Sequence, residues 1–68
     1  MKVKYNVTIH AGQALSYFYM WTDGTFTQSV IAFTEDGEVK SRMEYTYTTK
    51  EEWKQAIKET AELSVLLV

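Results

Sequence analysis

Much of the chain up to residue 48 reads in a period of two, and the reading is broken at Ala11-Gly12-Gln13, Asp23-Gly24 and Asp36-Gly37. A period of two belongs to a β-strand, whose successive side chains point to opposite faces. Asp-Gly between two such runs marks a tight reversal, because both residue types tolerate a positive φ. Four strands in an antiparallel meander are therefore predicted, over residues 2–10, 15–21, 26–34 and 39–48. In the first, Val3, Tyr5, Val7 and Ile9 share one face, while Lys2, Lys4, Asn6, Thr8 and His10 share the other. In the fourth, Val39, Met43, Tyr45 and Tyr47 face one way with Ser41 among them, and Lys40, Arg42, Glu44, Thr46 and Thr48 face the other.

The pattern then changes. Thr49-Lys50-Glu51-Glu52 has the form of a capping box, in which hydroxyl and carboxylate satisfy backbone donors at the start of a helix. Trp53, Ala56, Ile57, Thr60, Ala61 and Ser64 follow at helical spacing, with Lys54, Gln55, Lys58, Glu59 and Glu62 elsewhere. Leu63, Val65, Leu66, Leu67 and Val68 surround only one polar residue, too many apolar positions for a single helical face. They are candidates for self-association or for a short fifth strand, and the missing Gly or Asn stop signal favours a continuing helix. The expected fold class is α+β: a four-stranded antiparallel meander with one C-terminal helix on one face, as a single domain over residues 1–68.

Such a domain is small. At 68 residues it buries only about 60% of its unfolded surface; with no Cys it has no disulfide, and with a single His no metal or cofactor is expected to supplement its core. Association is the remaining route to stability, so a homodimer is expected. The first residues lack the apolar core of a signal peptide, and no run approaches the ~20 apolar residues of a membrane span. A cytoplasmic location is the expectation. The net charge of -2 gives no electrostatic footprint for nucleic acid.

One helix covers one face of a sheet, and the other face meets water or a partner. The central hairpin is apolar on both faces: Leu15, Tyr17, Tyr19 and Trp21 alternate with Phe18 and Met20, and Phe26, Val30 and Ala32 alternate with Ile31 and Phe33. A two-residue turn at Asp23-Gly24 would group Tyr17, Tyr19, Trp21, Phe26 and Val30, whereas a three-residue bulged turn would reverse that pairing. At the second turn a two-residue loop would set Glu35 against Glu38, so the bulged form is expected there. The combination predicts a core of Phe18, Met20, Ile31, Phe33, Val39, Met43, Tyr45 and Tyr47 under Trp53 and Ile57. It leaves Tyr17, Tyr19, Trp21, Phe26 and Val30 outside, with Arg42 at their edge. A contiguous aromatic patch of that kind marks an interaction surface, and Tyr, Trp and Arg are enriched among interface hot spots. The competing arrangement folds the C-terminal residues over this face.

Catalysis finds little support. His10 ends its strand on the polar side, Asp23 and Asp36 are turn formers, and Glu51 and Glu52 suit a helix N-terminus. No metal-ligand spacing is present, so the chain is expected to be non-enzymatic. Single-stranded nucleic acid could stack on sheet aromatics beside Lys40 and Arg42, but the net negative charge opposes it. The Asp23-Gly24 and Asp36-Gly37 hairpins followed by Thr49-Lys50-Glu51-Glu52 and one helix give the chain a format that resembles small phage-encoded inhibitors such as anti-CRISPR proteins. The likeness spans the whole chain, shares no specific motif and carries over no functional residue. It implies a stoichiometric blocker of a bacterial defence or host complex acting in the host cytoplasm. A designed α+β protein without biochemical activity fits the same format.

Overall fold

A computed structural model describes residues 2–67, with side chains described for residues 2–64. The ββββα order is as expected: β1 (Val3–Ala11), β2 (Ala14–Trp21), β3 (Phe26–Phe33), β4 (Val39–Tyr47) and α1 (Lys50–Leu67). Each strand pairs antiparallel with its neighbours in sequence, in the order β1-β2-β3-β4. The outermost strands of this sheet are β1 and β4.

Ala11 stands opposite Ala14, leaving Gly12-Gln13 as a two-residue turn with Gly12 at φ 60. The two Asp-Gly reversals are one residue longer. Trp21 N–H donates to Thr25 O at 2.9 Å and Gly24 N–H to Trp21 O at 3.0 Å, while Thr34 N–H donates to Glu38 O at 2.8 Å and Gly37 N–H to Thr34 O at 3.0 Å. Gly24 and Gly37 take φ 89 and φ 88, and no described residue other than glycine has a positive φ. A two-residue turn of the type I′ form would place Asp in that region as well, a position Asp occupies less readily than Gly. The longer loop leaves the left-handed position to Gly alone.

That extra residue corrects the expected faces. Met20 stands opposite Phe26 and Phe18 opposite Gln28, so Phe26, Gln28, Val30 and Ala32 lie on the helix side of β3. Phe26 and Val30, expected outside, are therefore inside, and Ile31 and Phe33, expected in the core, are outside. A one-residue slip exchanges every side chain between faces. The second loop is bulged as expected, but Ala32 pairs with Ser41 and Phe33 with Val39, which leaves Lys40 as an inserted residue. This bulge keeps Met43, Tyr45 and Tyr47 on the helix side, opposite Val30, Gln28 and Phe26.

Thr49 caps helix α1: its Oγ1 accepts from Glu52 N–H at 3.2 Å. The carboxylate arm differs from the expected box: Glu52 Oε2 accepts from Thr48 Oγ1 at 3.3 Å. One turn on, Trp53 is 2% exposed, and Phe18 beneath the helix is 0% exposed. The Trp53 indole N–H donates to Thr27 O at 3.2 Å. At the other end of the helix, Ser64 Oγ donates to His10 O at 2.6 Å. The helix thus runs from the last residues of β4 across to β1, along which it packs most.

Gln28 is buried on the helix side, and its Oε1 accepts from the Tyr47 hydroxyl. A helix is about 10 Å across and strands lie about 4.8 Å apart, so a helix that packs mostly along β1 leaves much of β4 uncovered. Met43 and Tyr45 accordingly remain 49% and 44% exposed on the helix side, while Val39, paired with Phe33 on the outer face, is 48% exposed; all three were expected in the core. Leu63 is 54% exposed. Val65, Leu66 and Leu67 continue the helix, but their side chains, and all of Val68, lie outside the described residues. No described helix is long and apolar enough to cross a membrane.

Candidate functional site

The outer face of the sheet is built around one column of β2. Tyr17, Tyr19 and Trp21 fall there because their neighbours Phe18 and Met20 point toward α1. The Tyr17 and Tyr19 rings are 6.3 Å apart and within 4° of parallel, and Tyr19 and Trp21 are 5.6 Å apart at 45°. The Trp21 indole N–H donates to Thr27 Oγ1 at 2.8 Å, which fixes the ring against β3.

On β3 the outer positions opposite Tyr19 and Tyr17 are Thr27 and Ser29, followed by Ile31 opposite Leu15. On β4 the partners of Thr27, Ser29 and Ile31 are Thr46, Glu44 and Arg42. Short side chains on β3 between tall ones on β2 and long ones on β4 make a groove parallel to the strands. Two adjoining depressions form it. One, of about 270 Å³, is lined by Tyr19, Trp21, Thr27, Ser29, Glu44 and Thr46 among others. The other, of about 290 Å³, is lined by Tyr17, Tyr19, Ser29, Ile31, Arg42 and Glu44 among others.

Of the residues singled out from the sequence, Tyr17, Tyr19, Trp21 and Arg42 share this face. Phe26 and Val30 do not: the Phe26 ring packs, tilted, at 5.6 Å from Trp53 on the opposite side. Thr27, Ser29 and Ile31 were missed, because they are visible as groove residues only once the loop at Asp23-Gly24 is given its third residue. The signal was present in the loop itself. Asp23 Oδ1 accepts from Thr25 N–H at 3.1 Å and from Thr25 Oγ1 at 2.7 Å, a pattern for which Asp-Gly-Thr is suited.

The electrostatics of the groove are balanced, with Arg42 and Glu44 on the same wall. The perturbed carboxylates are in the loops: hydrogen bonds from Thr25 hold Asp23 below its ordinary range, and one from Thr34 does the same for Asp36. Burial raises the Tyr47 hydroxyl, with Tyr45 and Glu59 adding to the effect. Among the described residues no group of three or more His, Cys, Asp or Glu could hold a metal ion. His10 lies exposed on the outer side of β1, opposite Leu15. No protein family, curated protein or solved structure matches the chain.

Proposed function

We propose that this chain is a non-enzymatic binding module that docks a protein partner through the outer face of its sheet. The observation that carries the reading is the aromatic column Tyr17, Tyr19 and Trp21 bordering a groove that α1, on the opposite face, leaves open. Rigid aromatic rings supply large contact area at small entropic cost, and the polar floor of Thr27 and Ser29 offers hydroxyls for a partner's backbone. Arg42 forms the charged edge of the docking face. The narrower reading, a stoichiometric inhibitor of a bacterial defence or host complex in the host cytoplasm, is supported by likeness of format alone. A nucleic-acid ligand is disfavoured, because Glu44 lines both depressions and offsets Arg42.

Replacing Tyr19 and Trp21 together by Ser tests the reading. Captured on an immobilised chain from bacterial lysate treated with nuclease, a partner that uses this face is retained by the parent and lost by the double variant. The expected loss in affinity is at least ~2 kcal/mol, as for hot-spot residues. A partner held equally by both, or released by the nuclease, would refute it.

A further inference from the structure

The free edge of β4 is self-complementary, and we propose that a second copy of the chain pairs with it antiparallel about Met43, joining two sheets into one of eight strands. The first ground is which backbone groups are free. Thr34 N–H donates to Glu38 O, so in alternation the β4 residues bonded to β3 are Ser41, Met43, Tyr45 and Tyr47. The N–H and C=O groups of Arg42, Glu44 and Thr46 therefore point away from the sheet. On the other margin, Ser64 Oγ at the end of α1 occupies His10 O. Among the described residues the edge of β1 is partly capped, and that of β4 is open.

The second ground is charge. In a pairing about Met43 the residue numbers opposite one another add to a constant, so Arg42 faces Glu44 of the second copy and Glu44 faces its Arg42. Lys40 then lies near Thr46 of that copy. Both charged pairs fall on free-edge positions, where the two strands exchange hydrogen bonds. Shifting the centre to Arg42 or to Glu44 would instead oppose like charges, which destabilises a strand pair. An equivalent pairing of β1 with itself finds no such match, since VKYNVTIHA has no carboxylate.

The third ground is the exposed strip on the helix side. About the same axis Met43 meets Met43, and Tyr45 meets Ser41 of the second copy, which brings together two side chains that are 49% and 44% exposed in the single chain. Both helices end on one face of the joined sheet, and the two outer grooves lie side by side on the other. The pairing is closed by a two-fold axis, so it stops at two chains.

Sedimentation of the isolated chain at tens of micromolar should give a dimer, twice the 7.9 kDa of one chain. Arg42→Glu and Glu44→Arg should each give monomer, and the two together should restore the dimer, with far-ultraviolet circular dichroism checking that each variant is folded. The chain has no cysteine. In the proposed register Met43→Cys places two thiols across a non-hydrogen-bonded pair, about 4.5 Å between Cα atoms, where a disulfide fits. Air oxidation should crosslink Met43→Cys and leave Tyr45→Cys uncrosslinked. Parent chain that sediments as monomer, or Tyr45→Cys crosslinking as fully as Met43→Cys, would overturn the proposal, as would an open ladder of larger species from β1 pairing with β4. The Tyr19 and Trp21 double Ser variant, altered two strands from this edge, should still dimerise, which separates the interface from the docking groove.

Discussion

The ring of Phe26 lies 5.6 Å from that of Trp53, tilted by 46°, and this contact ties the first residue of β3 to the first turn of α1. Trp53 adds an indole hydrogen bond to Thr27 O, so helix and sheet are joined by packing and by one polar contact at the same residue. Trp53→Ala should cost about 3–5 kcal/mol, comparable with the whole stability of so small a domain. Phe26→Ala should destabilise less, and the pair should be non-additive by about 0.5–1.5 kcal/mol in a double-mutant cycle. Chemical denaturation measures all of these, and a Trp53→Ala variant melting within a few degrees of the parent would contradict the packing.

Glycine is required at two loop positions for backbone reasons alone. A Cβ added at Gly24 or Gly37 would meet nothing within 4 Å, yet both sit at φ near +89. Gly24→Ala and Gly37→Ala should therefore each lose about 1–2 kcal/mol through conformational strain, with Asn at the same positions losing less. Equal losses for Ala and Asn would point to a cause other than the left-handed backbone.

Strand positions, turn positions and the helix start were all legible in the sequence, because each has a local chemical signature: alternation, Asp-Gly and Thr-x-x-Glu. The faces of β3 were not. They depend on whether the loop at Asp23 holds two residues or three, a difference of one residue that places Phe26 with Trp53 and Ile31 beside Arg42. Asp-Gly serves loops of either length, so the dipeptide alone does not place Thr27 and Ser29 in the groove. The insertion at Lys40 has no such signature, since it depends on pairing across the sheet. The exposure of Met43 and Tyr45 was also hidden, because it follows from the direction in which α1 leans.

Both loop carboxylates make stability depend on acid. Asp23 and Asp36 are held below their ordinary 3.8 by hydrogen bonds from Thr25 and Thr34. A lowered folded-state value means that the stabilisation is fully present above the unfolded value of about 3.9 and is lost as pH falls through the folded one. Stability should thus be flat in this contribution near neutrality and decline below about pH 4. Thr25→Val and Thr34→Val should each make that decline shallower, read as the melting temperature against pH. An unchanged acid slope in both would remove these bonds from the account.

The two tryptophans report on opposite faces of the sheet. Trp53 is 2% exposed, whereas Trp21 is half-buried beside the groove with its N–H on Thr27. In a Trp53→Phe variant the remaining emission should lie to the red and be quenched readily by acrylamide; in Trp21→Phe it should lie to the blue and resist quenching. Thr27→Val removes the acceptor for the Trp21 indole, and should cost about 0.5–1.5 kcal/mol while shifting emission only in the Trp53→Phe background. If a partner occupies the outer groove, saturation should protect Trp21 from acrylamide and leave Trp53 unchanged. Saturation that leaves Trp21 as open to acrylamide as in the free chain would take the docking surface off the outer groove.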